Sequence, residues 1–159
     1  MTPALHTHDL AVGYRGRPAI LSNIDITVEP GEMVALLGVN GIGKSTLMRT
    51  LARMQPALAG SVNIMGHDIT HMSQYDLARN VAVVLTERIA IGAMSACQLV
   101  ERGRYPHVNW SGRLSEADRD IVRDAIAAVG GQHLANRDVG ELSDGERQRI
   151  MIARALAQR

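Results

Sequence analysis

One cysteine, no apolar stretch of membrane-spanning length and almost no net charge set the first limits on this sequence. With Cys97 alone, an internal disulfide is excluded; between Ala96 and Gln98, in a helix-like stretch, it reads as a small buried thiol. No run approaches the roughly 18 apolar residues that a membrane helix needs, and the N-terminus lacks a basic segment followed by an apolar one. The expected location is therefore the cytoplasm, with membrane contact only through a partner. Seventeen basic residues against sixteen acidic leave a formal charge of +1, which gives nucleic-acid binding no compositional support. Repeats and low-complexity tracts are missing as well. What is present is a 46% apolar content across 159 residues, enough for the core of one globular domain or of a large piece of one.

The most informative segment is Gly38-Val39-Asn40-Gly41-Ile42-Gly43-Lys44-Ser45, which fits the spacing G-x-x-x-x-G-K-[ST] of a phosphate-binding loop. Gly38, Asn40, Gly41 and Gly43 supply a backbone that can turn successive N–H groups inward on an anion. Lys44 is placed to reach the β- and γ-phosphates of a nucleotide, and the Ser45 hydroxyl to ligate the Mg²⁺ that bridges them. The helix opening through Lys44, Ser45 and Thr46 adds free N–H groups and its positive dipole end. The apolar run Met33 to Leu37 reads as a buried strand entering the loop. Together these features predict binding of a nucleotide with Mg²⁺.

Around this loop the pattern is strands first and helices later. Leu5 to Tyr14 and Ile24 to Val28 alternate apolar and polar residues and predict two antiparallel strands about the turn Arg15-Gly16-Arg17-Pro18. Helix is expected from the loop to about Met54, a short strand over Ser61 to Met65, a brief helix over Ser73 to Arg79 and an apolar strand over Val81 to Leu85. Three helices follow, Ser95 to Arg104, Ser115 to Val129 and Ser143 to Gln158, each opened by a serine suited to N-capping. Ser115 with Asp118, and Ser143 with Glu146, have capping-box spacing. The fold class expected is α/β, a nucleotide-binding core carrying a helical insertion.

Leu142-Ser143-Asp144-Gly145-Glu146-Arg147-Gln148-Arg149 lies about a hundred residues after the loop. It resembles the signature L-S-G-G-Q of ABC-transporter ATPases, and Ile152-Ala153-Arg154-Ala155-Leu156 resembles the helix that follows it there. The resemblance covers essentially the whole chain. It implies a P-loop NTPase core with an N-terminal antiparallel β subdomain and a helical subdomain at about 88–142, incomplete at the C-terminus. Tyr14 stands where the family stacks an aromatic ring on adenine. Ser143 and Gly145 stand where the family binds the γ-phosphate held by a second ATP-binding subunit, so that two chains sandwich ATP. The resemblance also implies a membrane permease as partner, on the inner face of the plasma membrane.

Several positions depart from the family pattern. Asp144 replaces a glycine and Glu146 a glutamine, adding negative charge where an anion docks unless Arg147 and Arg149 neutralise it. Thr86 and Glu87 fall where the family carries a glutamine that senses Mg²⁺ and the attacking water, which makes them candidates for that role. A rival reading takes Val81 to Glu87 as a Walker B strand of another phosphate-loop class, and the signature argues against it. His67 and His71 have helical metal-ligand spacing but lie in a turn-like segment and read as solvated loop residues. Gly103-Arg104-Tyr105-Pro106 resembles ATPases of iron-siderophore, haem and cobalamin importers, and equally describes a helix ending in a loop. In the family, an acidic strand end and a histidine come after the signature helix. None of them can be assigned in this sequence, so weak or absent hydrolysis by the 159 residues is expected; the alternatives are a nucleotide-binding regulatory fragment without turnover and a soluble, non-transport ABC ATPase.

Overall fold

The computed structural model describes residues 2–85, 93–108 and 112–159. The chain divides into two compact units, 1–77 and 78–159. The expected helical stretch 88–142 falls within the second.

The first unit is built on an antiparallel sheet in the order β2-β1-β4-β5, with β3 also paired to β1. Its strands are β1 (Leu5–Val12), β2 (Leu21–Ile24), β3 (Thr27–Val28), β4 (Ala59–Ile64) and β5 (His67–Asp68). The alternation of β1 is broken. Thr7 is buried and then Leu10 and Val12, so the inward face changes parity near Asp9. The β1/β4 register shifts between His8 and Ala11, and Asp9 takes a positive φ of 44°. This bulge re-aims Leu10 into the core, which strict period-two pairing would turn outward. Thr7 is fully buried where β1 passes from β2 to β3 as partner. Its hydroxyl donates to the Ile24 carbonyl at 2.8 Å and accepts from the Ile26 N–H at 2.9 Å, satisfying backbone that the gap would orphan. Helix α1 (Lys44–Leu51) contacts β1 and buries Thr46, Leu47 and Thr50.

Two predicted strands do not form. Met33 to Leu37 has no ladder partner among the described residues, and Met33 and Leu37 are 96% and 88% exposed. Val81 to Leu85 likewise has no ladder partner among the described residues. Continuous apolar runs of this kind become strands when neighbours pair both edges and layers cover both faces. The antiparallel sheet of the first unit supplies neither to Met33–Leu37. His67 lies in β5 and His71 in the turn after it, not on one helical face. Helix α2 (Gln74–Asn80) runs from one unit into the next.

The second unit packs α3 (Ala96–Glu101), α4 (Glu116–Ala128) and α5 (Asp144–Ala157) around an aliphatic core that includes Leu99, Val100, Val122, Ile126, Leu134 and Ile150. Each helix opens on a complete capping box, Ser95 with Gln98, Ser115 with Asp118 and Ser143 with Glu146. Cys97 packs against this core, and burial, with Glu101 nearby, pushes its thiol pKa up, as suits an inert structural cysteine.

The segment Arg102–His107 is a 3₁₀ turn pressed on α5. A Cβ on Gly103 would sit 2.4 Å from the Arg154 carbonyl oxygen, so only glycine permits this approach. Arg104 is 6% exposed and its guanidinium donates to the Asp118 carboxylate at 2.9 Å, to the Ala157 carbonyl at 2.9 Å and to the Arg159 carbonyl. One side chain thus ties the N-terminus of α4 to the C-terminus of α5.

Candidate functional site

The phosphate-loop residues all lie in the first unit. Gly43 is the N-cap of α1 at φ 109° and provides no side-chain cap. A Cβ there would meet Ile20 Cγ2 at 2.8 Å and Leu21 Cδ1 at 3.2 Å, so backbone sign and crowding both demand glycine. The first helical bond runs from the Leu47 N–H to the Gly43 carbonyl at 2.9 Å. The N–H groups of the preceding turn are therefore left to a ligand or to water, and the helix dipole favours an anion there.

Lys44 Nζ donates to the carbonyls of Gly38 at 2.6 Å and Val39 at 2.8 Å. The ammonium is thereby held over the loop, where it counters the carbonyls that would otherwise repel a phosphate. Ser45 is exposed on the first turn with its hydroxyl at the surface. Thr46 is 7% exposed, and its carbonyl accepts the Thr50 hydroxyl at 2.9 Å. Its side chain faces the interior, so its backbone N–H is the part suited to an anion.

Tyr14 is half-exposed, in the turn after β1. That turn abuts the phosphate loop through Ile20, whose Cγ2 would lie 2.8 Å from a Cβ on Gly43 and whose backbone N would lie 3.2 Å from one on Gly13. Gln55 Nε2 donates to the Gly13 carbonyl at 2.6 Å and fixes the turn from the far end of α1. Thr86 and Glu87 lie outside the described residues.

The second motif lies in the second unit. Asp138 caps a 3₁₀ turn, Val139–Glu141, which delivers the buried Leu142 and then Ser143 at the N-cap of α5. The Ser143 backbone N–H and hydroxyl both donate to Glu146 Oε2, at 2.8 and 2.7 Å, and the Glu146 N–H donates back to Ser143 Oγ at 3.3 Å. Gly145 leaves open space where a Cβ would stand.

A family profile described as ABC transporter matches residues 21–159. The chain belongs to the ABC transporter family. It is 42% identical over 154 residues to an uncharacterized ABC transporter ATP-binding protein of Methanocaldococcus jannaschii, covering 97% of this chain and 53% of that one. It is 37% identical over 155 residues to the iron(3+)-hydroxamate import ATP-binding protein FhuC of Bacillus subtilis, covering 98% of this chain and 57% of that protein. Among solved structures it resembles CbiO1 of Clostridium perfringens, part of the ABC transporter complex CbiONQ. That match has a TM-score of 0.83 and 26% identity, and covers 99% of this chain and 62% of that one. The chain spans about half the length of the curated relatives it matches. The fold is accordingly the α/β P-loop NTPase fold of ABC ATPases, represented here in part.

Within an ABC ATPase signature, the acids of this chain have specific partners. Glu146 Oε1 accepts from Arg137 Nη1 at 3.2 Å, and Asp144 pairs with Arg147 at 3.7 Å. Glu146 is held below the ordinary carboxylate pKa, first by the Ser143 hydroxyl, then by the Ser143 N–H, with Arg137 and Arg149 adding attraction. Of the bases the sequence suggested for neutralisation, Arg147 pairs with Asp144 and Arg149 adds attraction to Glu146, while Arg137, outside the motif, supplies a hydrogen bond to the Glu146 carboxylate. Arg104 was also illegible as a structural residue: the Gly-Arg half of the importer-like stretch is committed to fixing α5, while Tyr105 is exposed under the Arg102 guanidinium at 5.8 Å.

Proposed function

We propose that this chain is the nucleotide-binding portion of an ABC importer ATP-binding subunit, and that it binds ATP with Mg²⁺ at Gly38 to Thr46. The observation that carries this reading is the uncapped start of α1 above a lysine held over the glycine loop. Phosphate oxygens occupy the open N–H groups, Lys44 turns from the loop carbonyls to the β- and γ-phosphates, and Ser45 ligates Mg²⁺. Tyr14 stacks on adenine from the adjoining turn.

Ser143 and Gly145 act on the nucleotide of a second ATP-binding subunit, a role supported by the likeness of Leu142 to Gln148 to the family signature at the start of α5. Closure of two chains over two nucleotides drives a membrane permease. FhuC is named for iron(3+)-hydroxamate import, and the likeness supports an iron-chelate or cobalamin-type cargo for the transporter that this chain serves. Thr86 and Glu87 remain the candidates for sensing the metal and attacking water.

The test is titration with a fluorescent ATP analogue in Mg²⁺. We expect saturable binding that falls at least about a hundredfold in Lys44→Ala, the loss of a charge-assisted phosphate contact of about 3 kcal/mol. Equal binding by the two proteins, with the variant folded, would remove the phosphate loop from the reading.

A further inference from the structure

The Ser143 donors are already occupied. Both the N–H and the O–H of Ser143 point to one carboxylate oxygen of Glu146, the hydrogen-bonding pattern a phosphate oxygen would adopt on them. Arg137 grips the other carboxylate oxygen, and its Nη2 also donates to the Glu141 carbonyl at 3.2 Å, so the guanidinium is anchored to the backbone just before the signature. An ionised carboxylate offers acceptors only, so the Ser143 hydroxyl hydrogen cannot be given to a phosphate until Glu146 releases it. The carboxylate charge also repels an incoming triphosphate.

We propose that Glu146 is an internal stand-in for phosphate that keeps the signature turn closed to nucleotide, with Arg137 as the positioning residue that receives the carboxylate when it lets go. This inference rests on the reading of Ser143 as a contact to the nucleotide of a second chain. The exchange conserves hydrogen bonds: Ser143 trades a carboxylate oxygen for a phosphate oxygen, and Glu146 retains Arg137. ATP-driven pairing of two chains is thereby set weaker by Glu146 than a neutral residue at the same place would set it.

Glu146→Gln is the informative variant, because glutamine at this position still completes a capping box and keeps the helix start folded. Pairing is measured by sedimentation equilibrium as the difference between samples with ATP and Mg²⁺ and samples without nucleotide, which cancels association that does not depend on ATP. The expected result is ATP-dependent pairing about tenfold tighter in Glu146→Gln, from removal of one partly screened charge beside the triphosphate. Arg137→Ala should weaken pairing several-fold, and in a Ser143→Ala background Glu146→Gln should lose most of its gain. A purely capping role would give additive effects and no gain. Unchanged or weaker pairing in Glu146→Gln, with fluorescent ATP still bound, overturns this inference alone. Absence of ATP binding in every form overturns the nucleotide reading and this inference with it.

Discussion

Arg104 shows how much one residue carries in the second unit. Its buried guanidinium is satisfied by the Asp118 carboxylate, the Ala157 carbonyl at the end of α5 and the Arg159 carbonyl just beyond it, where a cation suits the helix dipole. Removing it leaves Asp118 without its cation and the α5 carbonyls without a donor. Arg104→Ala should therefore cost about 3 kcal/mol, in line with breaking a buried pair. Thermal unfolding would register this as a fall of the order of 15 °C for a unit of this size. An unchanged melting temperature would contradict the bridging role. No local pattern signals it, because Asp118, Ala157 and Arg159 lie far along the chain and only packing gathers them. The start of α1 at Lys44 was legible for the opposite reason: the glycine loop and the helix start are contiguous.

At the scale of elements, helix starts were read well and strands less well. The serine boxes at Ser115 and Ser143 form as their spacing predicts, since N-capping is decided within four residues. Ser95 with Gln98 forms a third box that the spacing equally allowed. The α4 box also sets a pH dependence. Hydrogen bonds from the Ser115 hydroxyl and N–H, with Arg104 beside it, lower the Asp118 pKa from 3.8 to about 2. A lowered native pKa means that the stabilisation is fully present above about pH 4 and is lost as the pH falls through about 2. Asp118→Asn should accordingly lower the urea midpoint at pH 6 and converge with the parent near pH 2. A constant gap across that range would show that the carboxylate charge is not what stabilises the box. The bulge at Asp9 was invisible to period-two reading, because it is fixed by the register against β4, where Gly60 approaches the carbonyls of His8 and Asp9.

For the whole molecule, the telling feature is an apolar run left bare. Met33 and Leu37 face solvent, and Val34, Leu36 and Val39 are exposed beside them. A patch of this kind with unpaired backbone favours association between chains. Replacing both Met33 and Leu37 with lysine should raise the monomer fraction of the 159-residue chain, read by size-exclusion chromatography with light scattering. A monomeric parent at the same concentration would show that the run is not adhesive. The strand assignment for this segment had the right composition and the wrong outcome, since a buried strand is specified by its neighbours as much as by its own residues.

What the sequence determined by itself is therefore local: the phosphate loop and its helix, the capped helix starts, the aliphatic helical unit and the ABC signature. Each depends on residues within a few positions of one another, where backbone geometry and hydrogen-bond reach decide. Tertiary structure alone decided that Arg137 holds Glu146, that Arg104 joins two helix ends, that β1 bulges at Asp9 and that Met33 to Leu37 has no ladder partner among the described residues. Those outcomes depend on groups brought together across the fold, and on partners present or missing at a strand edge, which no local pattern encodes.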